Sequence, residues 1–197
     1  MGYYIRILGK NAGNISLREL QASASPALIE GDAGGDAWQQ LVLKHGSGQE
    51  IAVIEKNLVV EGELGSEELQ EFLQEVPLHR PESAAAWLQE YLPTVKVIYA
   101  FQLLSGTDVD DGWTLLHRVY GKVWNLAGGI LQADGEGFSD EDGFTVLWQF
   151  ADRAKGAWNV GVLGDGGRWV HFEIDLGNQQ HREAFWRGQV PIGAKLL

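Results

Sequence analysis

Apolar positions along this chain recur with two periods, one of two residues and one between three and four, and the changes of period divide it into elements. Tyr3 to Leu8 reads as a strand. Ser16-Leu-Arg-Glu19 is a capping box, whose hydroxyl and carboxylate satisfy the free amides of a first helical turn; it predicts a short helix that Pro26 stops. Trp38 to His45 and Glu50 to Lys56, joined by the polar turn Gly46-Ser47-Gly48-Gln49, predict an antiparallel hairpin.

Two amphipathic helices follow. In the first, Ser66 is the expected N-cap, and Leu69, Phe72, Leu73 and Val76 fall on one face before Pro77. Its glutamates occupy the opposite, wet face. In the second, Ala84, Trp87, Leu88, Tyr91 and Leu92 repeat the spacing between Pro81 and Pro93. Val95 to Leu104 is almost continuously apolar and suits a strand buried on both faces. A further helix is expected behind Asp108, Asp110 and Asp111, with a stripe of Trp113, Leu116, Tyr120, Val123 and Ala127 and a stop at Gly128-Gly129.

Beyond that point the pattern turns to strands: Ile130 to Ala133, Phe144 to Phe150, Trp158 to Leu163 and Arg168 to Leu176. Gly164-Asp-Gly-Gly167 is a strong hairpin turn, and Asn178 caps a last short helix over Gln179 to Arg187. These elements predict an α+β fold, a mixed and largely antiparallel sheet with helices packed on it, the C-terminal half richer in antiparallel strands. The division expected is an N-terminal α+β half, residues 1–94, and a C-terminal half of helix and antiparallel sheet, residues 95–197. With no flexible linker between them, one compact unit is an equal expectation.

Composition narrows the possible chemistry. The absence of cysteine excludes disulfides, thiolate nucleophiles and iron–sulfur ligation, and agrees with a cytoplasmic address. The N-terminal run is too short for a secretory core, and Arg6 stands where a myristoylation motif needs Ser or Thr. Apolar runs such as Val97 to Phe101 fall far short of the ~20 residues of a membrane helix, so no membrane role is expected. The formal net charge is −12, from 27 acidic and 15 basic residues, and the acids are clustered. Glu67, Glu68, Glu71 and Glu75 lie in a stretch without any base from Lys56 to Arg80, and a second acidic stretch lies between Lys122 and Arg153. Phosphate neutralisation needs clustered Lys and Arg, so nucleic acid is not an expected partner; a basic protein or a cation is.

Chemistry has two candidate locations. Strand alternation places Trp169, His171, Glu173 and Asp175 on one face of Arg168–Leu176, and a histidine beside carboxylates can bind a metal or form an acid/base pair. The same pattern also describes the wet face of an ordinary antiparallel strand. In the acidic segment from Asp134 to Gly143, Asp134, Glu136, Asp140 and Asp142 offer oxygen ligands for a hard cation, although the EF-hand pattern fails at Phe138 and Ser139. A turn joining two strands explains the same Gly and Asp residues. There is no dinucleotide fingerprint, P-loop, nucleophile elbow or HExxH, and no cofactor is expected. Trp87, Trp113 and Trp148 lie on periodic apolar faces and are expected in the core.

The sequence therefore predicts a non-catalytic acidic interaction protein, inhibitor- or immunity-like, that meets a basic protein partner through Glu67, Glu68, Glu71 and Glu75 or the Asp134–Asp142 loop. The alternative is a metal-dependent enzyme or small-ligand binder using His171, Glu173 and Asp175. A sugar-binding module would need an exposed cluster of at least two tryptophans beside polar groups.

Overall fold

A computed structural model describes residues 2–31 and 37–197. The fold is α+β, and the chain forms two compact units, each built from two stretches: residues 1–67 with 95–129, and residues 68–94 with 130–197. The chain passes between units at 67/68, 94/95 and 129/130.

In the first unit the sheet order is β1 (Tyr3–Gly9), β5 (Val97–Leu103), β4 (Glu50–Leu58), β3 (Gln40–Lys44), β2 (Leu28–Gly31), every pairing antiparallel. The apolar run expected to lie centrally does so: β5 pairs with β1 on one side and β4 on the other, and Val97 to Phe101 are buried on both faces. α1 (Leu17–Ala24) is capped as expected, the Ser16 hydroxyl accepting from the Glu19 amide at 3.1 Å. It packs against α4 (Gly112–Ala127), which also lies against β1 and β4. Phe101 and Tyr120 meet edge to face, with ring centroids 5.4 Å apart.

The buried stripe of α4 is rotated from the expected one. Leu115, Leu116, Val119, Val123 and Ala127 point inward, Tyr120 is half-buried and Trp113 is 46% exposed. The helix start explains the rotation. Gly112 packs so closely on the preceding turn that a Cβ there would lie 2.2 Å from the Gly106 carbonyl oxygen, and Asp111 caps from a left-handed φ of 66°. That close approach sets the face that α4 presents.

α2 (Leu64–Glu75) carries the first crossing between units. It begins two residues before the expected cap, because the amides of Ser66 and Glu67 close on the Glu63 carbonyl. Gly65 makes this start possible: a Cβ there would lie 2.5 Å from the Leu58 carbonyl oxygen. Ser66 is therefore inside the helix and not its N-cap.

The second unit has the sheet order β6 (Ile130–Ala133), β7 (Gly137–Ser139), β8 (Thr145–Trp148), β9 (Ala157–Leu163), β10 (Trp169–Asp175), β11 (Lys195–Leu196). Its pairings are antiparallel except β8 with β9, where the Trp158 indole donates to the Thr145 hydroxyl at 2.9 Å. α3 (Glu82–Tyr91) packs on β8 and β9, and α5 (Gln179–Trp186) on β10, its first amides capped by Asn178. The core comprises Trp148, Val160, Val162, Phe172, Ile174, Leu176 and Phe185. Phe172, Ile174 and Leu176 supply the inward face of β10, as their alternation requires. Among the described residues no helix is long and apolar enough to cross a membrane.

Candidate functional site

Strand β7 lies in the middle of the segment read as a cation loop, and it separates the four oxygen ligands expected there. Asp134 and Glu136 occupy the β6–β7 turn, while Asp140 and Asp142 occupy the β7–β8 turn at the strand's other end. A three-residue strand spans about 10 Å, so one chelating loop is not formed. Gly137 makes the strand possible: its φ is +122°, and a Cβ there would lie 1.9 Å from the Leu147 carbonyl oxygen.

Asp140 instead meets His171 from the other candidate site. The Asp140 carboxylate is 1% exposed, and its Oδ2 lies 2.5 Å from His171 Nε2. Its Oδ1 accepts from the amides of Asp142 and Phe144, each at 3.0 Å, which forms the turn. A buried carboxylate needs such partners. Because a carboxylate only accepts, the contact assigns the proton of the imidazole to Nε2. The Phe144 ring stacks on the imidazole with centroids 3.8 Å apart and planes 8° from parallel. Behind the ring, across the β9–β10 ladder, is Gly161, where a Cβ would lie 3.1 Å from His171 Cδ2 and 3.6 Å from Asp140 Oδ2. One face of the imidazole is thus covered by Phe144, and its Nε2 is engaged. Its Nδ1 makes no hydrogen bond among the described residues.

Among the described residues no hydrogen bond links Glu173 or Asp175 to His171, and neither belongs to its ligand cluster. Glu173 faces Asn159 and Lys195 across the two ladders. Asp175 turns back at the strand end, its carboxylate accepting from the Gly177 amide at 2.8 Å. Asp142 does come close, and one ligand atom from each of Asp140, Asp142 and His171 falls within 4.8 Å of the others.

The surroundings of His171 are aromatic, and the sequence reading missed most of them. Trp169, two residues before His171 on the same strand face, meets Trp87 edge to face at 5.0 Å. Trp87 lies 4.8 Å from Tyr91, one turn along α3. The Tyr91 hydroxyl donates to Glu141 Oε1 at 2.9 Å. Burial first, and then the Glu141 carboxylate, push the Tyr91 phenol far above its ordinary range, so it remains a donor. Glu141 and Asp142 are exposed next to buried Asp140. Contacts therefore lead from Trp169 through Trp87 and Tyr91 to Glu141 and Asp140, and back through His171 on β10. Two separate clefts, of about 420 Å³ around Trp38, Lys56 and Leu58 and about 490 Å³ around Arg80, Trp186 and Arg187, contain none of the predicted site residues.

The one usable signal for these residues in the sequence is the spacing of Trp87 and Tyr91; their hydrogen bonding is known only from the structure. The indole N–H groups of buried Trp38 and Trp148 and of half-buried Trp124 and Trp158 donate to internal acceptors. Those of Trp87 and Trp169, like those of Trp113 and Trp186, have no protein acceptor among the described residues, and the Trp87 and Trp169 rings are half-buried. The i to i+4 pair of Trp87 and Tyr91 is visible in the sequence, but the β10 strand it faces is not.

No protein-family model, curated protein or solved structure matches this chain. The functional reading rests on the geometry of its own residues.

Proposed function

We propose that this chain is a non-catalytic acidic interaction protein that binds a basic protein partner, in the manner of an inhibitor or immunity protein. The observation that carries the reading is the outer face of α2. Glu67, Glu71 and Glu75 are exposed and make no ion pair among the described residues, while Leu69, Phe72 and Val76 on the other face are buried. Phe72 is fixed edge to face against Phe138 at 5.3 Å. Glu68 is half-buried beside them. A row of carboxylates on an anchored helix, in a chain of net charge −12, attracts cationic surfaces and accelerates encounter with them.

The test is capture from the native host at low salt by the wild-type chain and by a variant with Glu67, Glu68, Glu71 and Glu75 changed to Gln. The expected result is a basic protein held by the wild type, released by added salt, and bound at least about tenfold more weakly by the variant, which is about 1.4 kcal/mol. Equal binding with an equal salt slope would remove α2 from the reading.

The cluster of Asp140, Asp142 and His171 favours a second reading, a divalent-cation binder or metal-dependent enzyme. One nitrogen and two carboxylates suit zinc better than calcium, which prefers oxygen ligands throughout. Both Asp140 oxygens already have protein partners, so a metal would have to displace His171 Nε2 or bind beyond it. A zinc-dependent rise of the unfolding midpoint that Asp142→Asn abolishes supports this reading, and no rise removes it.

A further inference from the structure

We infer that the aromatic and acidic patch around β10 is an anchor site for an arginine or lysine side chain of the basic partner. The inference rests on the interaction reading above and adds a contact that α2 does not provide. Trp87 and Trp169 are half-buried and meet edge to face in the second unit, and the buried Tyr91 packs against Trp87. The Trp87 and Trp169 rings are half-buried and their N–H groups have no protein acceptor among the described residues, so neither is a fully satisfied core side chain.

Carboxylates border the rings. Glu141 is held by the Tyr91 hydroxyl at 2.9 Å, and Asp142 is exposed without an ion pair among the described residues. His171 is oriented by buried Asp140, so this part of the patch is rigid. Ring faces attract a cation through their quadrupole, carboxylates attract it through charge, and a guanidinium can satisfy both at once by stacking and bidentate hydrogen bonding. Trp and Arg side chains that become desolvated together are also where binding energy concentrates in interfaces. A neutral sugar would stack on the rings and donate hydroxyls to the carboxylates, but would leave their charge uncompensated. The occupant is therefore a cationic side chain, with guanidinium favoured over ammonium.

The probe is a blocked tetra-arginine peptide titrated into the ¹⁵N-labelled full chain, with tetra-lysine and a neutral oligosaccharide as comparisons. The expected result is movement of the Trp87 and Trp169 indole N–H resonances, while those of Trp38, Trp124, Trp148 and Trp158, whose donors are internally bonded, stay fixed. Trp186 should also stay fixed, because Glu82 and Glu183 beside it are already paired with Arg80 and Arg187. Affinity should fall as salt rises and be greater for tetra-arginine than for tetra-lysine. It should also drop at least about tenfold in Trp169→Ala and in a double variant, Glu141→Gln with Asp142→Asn. The wild-type titration does not depend on how the variants fold. If the peptide shifts only the α2 amides, the anchor is overturned while the interaction reading survives. If no resonance moves, both fail. If the oligosaccharide alone shifts the two indoles, the patch is a sugar site and the cationic anchor is wrong.

Discussion

Asp140 is the side chain on which the candidate site depends. It is 1% exposed and offers four hydrogen-bonding sites, of which two backbone amides and the His171 imidazole take three. Asp140→Asn keeps an oxygen for the turn amides and can re-pair with the imidazole, so it is expected to cost about 1–2 kcal/mol. Asp140→Ala leaves the amides and the imidazole without partners and should cost about 3 kcal/mol or more. Denaturant unfolding of both variants checks the order; equal losses would mean that the carboxylate's partners do not matter. Tyr99 presents the opposite case. It is fully buried, and its hydroxyl has no partner among the described residues. Burial pushes its phenol up to about 12 from an ordinary value near 10. The folded state therefore keeps a proton that the unfolded chain releases above about pH 10. The stability linked to that proton is complete below about pH 10 and is lost as pH rises through about 12. Between those values the wild type's melting temperature should fall more steeply than that of Tyr99→Phe. At neutral pH the variant should be equal to the wild type or more stable by about 1 kcal/mol, since it removes an unpaired hydroxyl.

Among the elements, local sequence chemistry decides the structure where a cap or a period governs it. Ser16 and Asn178 cap the helices they were expected to cap, and Phe172, Ile174 and Leu176 face the core from β10. Where backbone packing governs an element, the local sequence pattern does not announce it. α2 starts early because Gly65 lies against a carbonyl, and α4 is rotated because Gly112 lies against another. β7 was missed because its three residues look like a turn in sequence, Gly and Ser being poor strand formers. Its existence depends on Gly137, whose conformation and close approach to Leu147 exclude any side chain. Gly137→Ala should therefore cost more than about 2 kcal/mol and disrupt the β7–β8 turn that carries Asp140. Loss of the His171–Asp140 contact, seen as a changed His171 ring resonance, would accompany the instability. An alanine variant as stable as the wild type would show that β7 does not need its positive φ.

For the whole molecule, charge is the governing property. With 27 acids and 15 bases the chain repels itself, and added salt should relieve part of that repulsion. Between about 0.01 M and 0.1 M salt the screening length shortens from about 30 Å to about 10 Å. The melting temperature is expected to rise by about 2–4 °C, which corresponds to about 1 kcal/mol for a chain of this size. The same salt should weaken a cationic partner, so stability and binding move in opposite directions. A midpoint that falls with salt would mean that attractive ion pairs, such as Lys44 with Glu30 at 2.7 Å, outweigh the net repulsion.

The sequence by itself determined the α+β class, most helix and strand positions, the inward face of β10 and the acidic outer face of α2. Each depends on residues within a few positions of one another, where periodicity and capping act directly. Only the tertiary structure decided that Asp140 meets His171, 31 residues away, and that Tyr91 meets Glu141, 50 residues away. It also separated Asp134 and Glu136 from Asp140 and Asp142, and left Glu173 and Asp175 outside the cluster of Asp140, Asp142 and His171. Those pairings follow from strand order, ladder register and the close approach of glycines to carbonyls, which join segments distant in the chain and have no period to announce them.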